Sequence, residues 1–200
     1  MLGNRWLWFV LIIILFGAWQ SWQSRIVSVP EGFIAAPKEP IQSKAEQNKV
    51  FQQGIFELHV LANFDIEARV LSTESYHFGR DAELAPLDLA LGWDAMSNSS
   101  VLSGISISQG NRFYYYQWQN NPPIPPDEIA RHSANMHLIP ANSAIEKKLN
   151  AVRVGQVVRI TGQLVEARTK DGWHWRSSIT RDDTGAGACE LIRVESINIR

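Results

Sequence analysis

The pattern of hydrophobic positions divides the chain into an apolar start, a polar stretch and a long mixed remainder. Residues 6–22 carry no charge and centre on an apolar run at residues 11–16. A helix over this stretch rises about 25 Å, the short end of what crosses a hydrocarbon core. The pattern predicts a transmembrane anchor over residues 1–25. Indoles, which prefer the membrane interface, flank the run: Trp6, Trp8, Trp19 and Trp22.

A cleaved signal peptide is the alternative interpretation of the same stretch. Cleavage needs small residues at the last leader position and two positions before it. Each small residue that could end the leader follows Phe16, Trp19 or Trp22 by two positions, so no cut fits. Basic residues are nearly balanced across the stretch, and a large domain translocates despite a few charges. We therefore expect an uncleaved single-pass anchor in the inner (cytoplasmic) membrane, with the globular domain outside the cytoplasm.

The polar stretch and the remainder differ in composition. Residues 26–50 contain three prolines among Lys, Glu, Gln and Ser and show no apolar period. This composition predicts a flexible, extended linker. A single globular domain is expected over residues 51–200, because about 150 residues suffice for one core and not for two. The only cysteine, Cys189, excludes an internal disulfide, so a hydrophobic core must stabilise the domain.

Strand patterns dominate the predicted domain. Residues 64–71 alternate apolar and polar side chains, as a half-buried strand does. Gly110-Asn111 joins strands at residues 105–109 and 112–118, and such a pair is a strong hairpin signal. Residues 156–167 predict a long strand with a bend at Gly162. Further strands are expected at residues 55–61, 135–139, 173–180 and 189–199.

Helical patterns are short. They predict helices at residues 86–91, 100–103, 127–134 and 143–151, the last capped by Asn142 or Ser143. Residues 72–82 and 181–187 are expected to be loops. The predicted class is α+β: a transmembrane helix, then a mainly antiparallel β domain with a few short helices. The order of the last elements is a helix, a bent strand, a hairpin and a closing strand. This order favours a small barrel of the oligonucleotide/oligosaccharide-binding (OB) type. A flatter sheet with helices on one face is the alternative.

Four segments resemble a family of bacterial membrane-anchored proteins of unknown function. The similarity implies a relationship over the whole domain and supplies no activity, substrate or catalytic residue. The segments are residues 66–71, 89–93, 132–140 and 181–190.

Asp183 begins the sequence Asp-Thr-Gly-Ala, which is the spelling of the active-site loop in retroviral-type aspartic proteases. Such a protease needs an apolar strand running into this aspartate and a second carboxylate beside it. Thr180, Arg181 and Asp182 precede Asp183 instead. A polar hairpin loop rich in Asp and Gly is the favoured interpretation.

His132 and His137, with Asn135 between them, form the first candidate polar site. Zinc takes three or four ligands, and no pair here has metal-motif spacing, so the sequence predicts neither a metal nor a cofactor. A histidine could also activate the Cys189 thiol or a serine hydroxyl, provided that it lies within hydrogen-bond reach. The structural alternative makes His132 a helix end and His137 an ordinary strand residue.

Aromatic side chains form the second candidate surface. Two faces alternate along the predicted strand at residues 112–118, and a half-exposed strand buries one of them. Aromatic surface would then remain for a glycan or a protein, unless helices or the linker cover both faces. The candidates are Tyr114, Tyr116, Trp118, Trp173 and Trp175.

Charge and motifs together favour a binding protein over an enzyme. Lys and Arg number 19 against 20 Asp and Glu, a net charge of −1, which gives no basic patch for nucleic acid. We expect a non-enzymatic envelope protein whose β-rich domain binds a protein or cell-wall partner. The alternative is a periplasmic hydrolase or a metal-binding enzyme that uses His132, His137 and residues 176–183. The polar candidates within that last segment are Arg176, Ser177, Asp182 and Asp183.

Overall fold

The computed structural model describes residues 3–23, 27, 30, 32–180 and 189–200, and within the first helix it describes the side chains of residues 6–17. The described residues form ten strands, with short helices and one 3-10 turn between some of them. The helices are α1 Gly3–Gln23, α2 Arg80–Leu84, a 3-10 turn Asp94–Ser97, α3 Ser99–Leu102, α4 Pro126–Arg131 and α5 Ser143–Leu149. The strands are β1 Ile41–Lys44, β2 Val50–Gln53, β3 Phe56–Ser75, β4 Leu87–Gly92, β5 Ser106–Gly110, β6 Phe113–Gln117, β7 Ser133–Pro140, β8 Val157–Arg168, β9 His174–Arg176 and β10 Glu190–Ile199.

Five of these strands close into a ring. β3 pairs with β4, β4 with β7, β7 with β10, β10 with β8, and β8 with β3 again. β7 and β10 run parallel, and the other four pairs are antiparallel. β3 is 20 residues long, and register shifts between Val60 and Ala62 and between Val70 and Ser72 let it bend around the ring. The predicted α+β class with a mainly antiparallel sheet and few helices is confirmed.

The interior of the ring is the main hydrophobic core. Alternate residues of each strand point inward and are fully or almost fully buried, as a closed sheet requires. Helix α5 packs on this core, and the Asn142 side chain caps it by accepting hydrogen bonds from the amides of Ala144 and Ile145. The predicted start of this helix is thereby confirmed. The large core side chains include Phe64, Ile66, Leu89, Trp93, Met136, Leu138, Ile160 and Ile192.

The outer face of β4 and β7 is also covered. The β5–β6 hairpin lies over it and packs Tyr114 and Tyr116 near the buried Ala90 and Ile129. This double coverage explains why residues 86–91 were wrongly predicted to be a helix. Leu87, Leu89 and Leu91 face the core with the two-residue period of a strand, while the alternate positions are buried under the hairpin. A strand buried on both faces has no polar alternation to identify it.

Other predicted boundaries also differ from the structure. Residues 55–61 and 64–71 were predicted as two strands but belong to one strand, β3, and the strand predicted over residues 173–180 covers only His174–Arg176. Two further differences lie beside β4. The predicted loop at residues 72–82 contains the end of β3 and the beginning of α2. The helix predicted over residues 127–134 ends at Arg131, and β7 begins at Ser133. Both differences arise because strand pairing with β4 continues through Ser75 and Ser133.

Part of the segment predicted as a linker, residues 26–50, is paired with the domain in the described chain. Ile41–Lys44 pairs antiparallel with β3, and Ala36 is fully buried. The amide of Ala36 donates to Ser97 Oγ at 3.1 Å, and the Trp93 indole donates to Glu39 Oε2 at 2.8 Å. All four side chains of β1 are exposed, so backbone pairing fixes this strand without an apolar period in the sequence.

Helix α1 is 21 residues long, and each of its residues from Trp6 to Gly17 is exposed. Among the described residues, no helix combines the length and apolar character needed to cross a membrane. The transmembrane anchor therefore stays a prediction from the sequence.

Candidate functional site

A buried polar cluster lies on the outer face of the ring, where β4 pairs with β7. Asp88 stands directly opposite His137 in this antiparallel pair, and Ala90 stands opposite Asn135. Asp88, Asn135 and His137 are 0%, 2% and 3% exposed. The inner faces of the same strands hold the core, so these three side chains point outward and are buried by the elements that cover the ring.

Arg112 compensates the buried carboxylate of this cluster. It is the second residue of the two-residue turn of the β5–β6 hairpin and has a left-handed conformation, with φ at 70°. Its Nη1 donates to Asp88 Oδ1 at 2.7 Å and to the Ala85 carbonyl oxygen at 2.9 Å. The guanidinium carbon lies 3.7 Å from the centroid of the Tyr76 ring, and the Arg112 amide donates to the Tyr76 hydroxyl at 2.9 Å. The hairpin therefore places a cation against a fully buried carboxylate.

Asn135 ties the hairpin to the ring from the other side. Its Nδ2 donates to the Arg112 carbonyl oxygen at 2.9 Å, and its Oδ1 accepts from Gln109 Nε2 at 2.6 Å. Its Nδ2 also lies 3.4 Å from Asp88 Oδ2. Asn135 is thus a bridging residue of the cluster, with both ends of its amide engaged.

His137 lies at the edge of the same cluster. Its Nδ1 is 2.9 Å from Asp88 Oδ2, but the atoms are not aligned for a hydrogen bond and Nδ1 has no other partner. The imidazole and the carboxylate are therefore in close contact without a hydrogen bond. The ring centroid of His137 lies 4.7 Å from that of Trp175, whose ring also lies 5.3 Å from the Arg112 guanidinium.

These residues border an open cleft of about 330 Å³. It lies between α2, the β5–β6 turn, β7 and the segment around β9. The cleft therefore combines two cationic side chains, two imidazoles, a carboxylate, a thiol and three aromatic rings. Its lining residues are Asp81, Arg112, Phe113, His137, Trp173, His174, Trp175, Arg176 and Cys189.

The β9 side of the cleft is held by an ion-pair network. Arg176 Nη1 donates to Glu166 Oε2 at 2.7 Å, and Arg168 donates to both oxygens of the same carboxylate at 3.1 Å. The hydrogen bond from Arg168, followed by the contribution of Arg176, lowers the pKa of Glu166. Trp173 packs edge-on to Phe56, with ring centroids 5.5 Å apart. Arg176, Trp173 and Trp175, all predicted as binding candidates, therefore share one cleft with His137.

Ser177, another predicted candidate, lies beside this cleft but is engaged by the backbone. It is buried, its Oγ donates to the Ser178 carbonyl oxygen at 2.7 Å, and the Leu191 amide donates to the same Oγ at 3.0 Å. Its role in the structure is to join the chain after β9 to β10. Asp182 and Asp183 lie outside the described residues.

His132 does not join His137. It ends α4 and lies among three carboxylates, with ring nitrogens 3.1 Å from Glu128, 3.3 Å from Glu39 and 3.6 Å from Asp94. The break between α4 and β7 therefore directs the two histidines into separate clusters. In the part of the chain that the structure describes, no group of three or more His, Cys, Asp or Glu side chains could hold a metal ion.

The aromatic candidates of the hairpin are mostly used for packing. Tyr114, Tyr116 and Trp118 face the ring and pack with the cluster around Ala90. The Tyr114 hydroxyl lies 2.7 Å from Ser133 Oγ, and burial raises the pKa of Tyr114 to about 12. The opposite face of the hairpin carries the exposed aromatic surface, with Tyr115 54% exposed. The aromatic residues of the cleft come from Phe113 and the β9 segment instead.

Sequence reasoning missed Asp88 and Arg112, which organise the cluster. Asp88 is the only charged residue between Ala85 and Gly92. A lone charge in such an apolar run is the signal that could have identified it, since buried carboxylates are rare without partners. Arg112 was assigned to the hairpin only, and its sequence neighbours give no sign of an ionic partner 24 residues earlier.

Comparison with known proteins adds no relative. No protein-family model matches this chain, and neither a curated protein nor a solved structure is significantly similar to it.

Proposed function

We propose that this chain is a membrane-tethered envelope protein whose domain is an OB-type barrel that binds oligosaccharide of the cell wall. The strand ring supports the barrel assignment. In ring order the strands β3, β4, β7, β10 and β8 correspond to the first, second, third, fifth and fourth strands of an OB barrel. Helix α5 lies between the third and fourth strands, as in that fold.

The location of the cleft is the observation that carries the binding proposal. OB-type domains bind oligonucleotides and oligosaccharides on the face of their second and third strands, between the first–second and fourth–fifth loops. The cleft here opens beside His137 on the outer side of β7, next to the hairpin that covers β4. Asp81 reaches it from the β3–β4 connection, and Trp173 and Trp175 reach it from the β8–β10 connection.

The chemistry of the cleft favours a sugar over a nucleic acid. Indole rings offer flat apolar faces, and the neighbouring Arg, Asp and His side chains offer hydrogen bonds to hydroxyl and carboxylate groups. A nucleic-acid site needs an excess of cations to neutralise phosphates, whereas this chain has a net charge of −1. Arg112 and Arg176 are each already paired with a carboxylate.

The binding proposal is tested with purified peptidoglycan and its soluble oligosaccharide fragments. We expect Trp175→Ala to weaken binding by about tenfold or more in isothermal titration, because it removes an indole that lines the cleft. Phe33→Ala is the matched control, since Phe33 is 57% exposed and does not line the cleft. Thermal melting of both variants shows that each is folded. Equal affinity of the folded Trp175 variant and the wild type would reject the cleft as the sugar site.

The tethering proposal rests on the exposed apolar side chains of α1. Deletion of residues 1–25 is expected to move the protein from the membrane fraction to the soluble fraction, because burial of this apolar surface drives bilayer association. A reporter fused to the carboxyl terminus tests the side of the membrane, with activity expected outside the cytoplasm. Recovery of the full chain in the soluble fraction would contradict the tether.

The alternative function, an enzyme, would use fewer of the residues that the sequence suggested. His132 lies in a separate cluster, so a hydrolytic site that combines it with His137 is not supported by the geometry. His137 and Arg176 do share the cleft. Any catalytic chemistry would therefore be centred on His137.

A further inference from the structure

The same cleft holds the chain's single thiol beside its most buried imidazole. Cys189 and His137 both line the cleft. β10 runs parallel to β7, with Glu190 opposite Met136 and Leu191 opposite His137. Cys189 is the residue just before the first paired residue, Glu190. Its backbone therefore lies beside the stretch of β7 that carries Asn135 and His137. The thiol is partly exposed, whereas His137 is 3% exposed.

His137 has the environment of a general base. Its Nδ1 faces the fully buried carboxylate of Asp88 at 2.9 Å and makes no hydrogen bond in this structure. A carboxylate behind one ring nitrogen stabilises the imidazolium that forms when the other nitrogen accepts a proton. Arg112 and Asn135 hold Asp88 in place through contacts of 2.7 and 3.4 Å. The imidazole therefore has a fixed anion behind it and the cleft in front of it.

We propose that Cys189 is a thiol nucleophile activated by His137, and that it accepts an acyl group from an ester or amide bound in the cleft. The proposal uses the cleft described above but does not require that its ligand be an oligosaccharide. A thiol needs a nearby base to react efficiently near neutral pH, and His137 is the nearly fully buried base that lines the same cleft.

The proposed reaction has two steps. In the first, His137 Nε2 takes the thiol proton while Sγ bonds to the carbonyl carbon, and the bond to the alcohol or amine breaks as that group takes the proton from His137. In the second, water attacks the thioester while His137 takes its proton, and Sγ leaves and is protonated again. The products are a carboxylic acid and an alcohol or amine, and no oxidant or other co-reactant is consumed.

Acetylation by 4-nitrophenyl acetate tests the proposal, with intact-mass spectrometry as the readout. Because Cys189 is the only cysteine, a thioester can form at one residue. In samples quenched with acid during the reaction, the wild type is expected to carry one acetyl group that hydroxylamine removes, Cys189→Ala to carry none, and His137→Gln to react about a hundredfold more slowly. His59→Gln, outside the cleft on β3, is the matched control and keeps the wild-type rate. Equal rates in the folded His137 variant and the wild type would overturn the proposal.

A second measurement needs no variant. Iodoacetamide is expected to alkylate Cys189 at pH 7 about tenfold faster in the native chain than in the chain unfolded by urea, because only the native fold brings a base to the thiol. A native rate equal to or below the unfolded rate would also overturn the proposal. The wild type separates the two proposals, since oligosaccharide binding without any acetylation of Cys189 would reject the nucleophile and leave the sugar site.

Discussion

Replacing Gly162 with alanine is expected to destabilise the domain by about 3 kcal/mol or more, because it blocks closure of the ring. Gly162 lies on β8 where that strand pairs with β3 on one side and β10 on the other. A Cβ at this position would lie 2.0 Å from the Arg193 carbonyl oxygen and 3.2 Å from the Val194 Cα. Both neighbours are backbone atoms of a paired strand, so they cannot rotate away. Urea unfolding followed by circular dichroism measures the loss.

Gly110→Ala is the matched control for this substitution. Gly110 is also a strand glycine, but nothing lies within 4 Å of the Cβ that alanine would add there. We expect the control to unfold close to the wild-type midpoint. If both variants lost the same stability, the close approach of β8 and β10 would not be the cause.

The sequence was sufficient where local patterns decide the structure. The long strand predicted at residues 156–167 corresponds to β8, and the predicted hairpin corresponds to β5 and β6, with its turn at Asn111-Arg112, one residue later than predicted. Turn residues and alternation are short-range signals, so they do not depend on distant partners. The cap of α5 is equally local, since Asn142 bonds the amides two and three residues later.

Long-range pairing decided what the sequence could not show. β4 was mistaken for a helix because a hairpin 14 or more residues later covers its second face. β1 has no apolar period because it contributes backbone pairing alone. Both elements obtain their structure from β3, which is the neighbour of each.

The candidate site shows the same division. His137 and Asn135 were selected because they lie close to His132 in the sequence, and the structure places both in the cluster on β7. Asp88 was missed because its partner His137 is 49 residues away, across a strand pair whose register no local pattern fixes. His132 was grouped with His137 by sequence proximity, but the helix end separates them.

Replacing Arg112 with methionine is expected to cost about 3–5 kcal/mol of unfolding free energy, because it leaves the Asp88 carboxylate buried without its cation. Methionine preserves most of the side-chain length, so lost packing contributes little. Asp88 is fully buried, and Arg112 supplies a 2.7 Å contact to its Oδ1. Urea unfolding measures the change. Arg159→Met, which breaks the exposed pair with Asp65, is the control and should barely move the midpoint.

The double variant Asp88→Asn/Arg112→Met separates charge from packing. The asparagine keeps the shape of Asp88 and can still meet His137 and Asn135, but it removes the uncompensated charge. The double variant is therefore expected to be more stable than Arg112→Met alone, which is a positive coupling between two residues in direct contact. A double variant less stable than both single variants would show that Arg112 acts through its contacts with Ala85 and Tyr76 rather than through the Asp88 carboxylate.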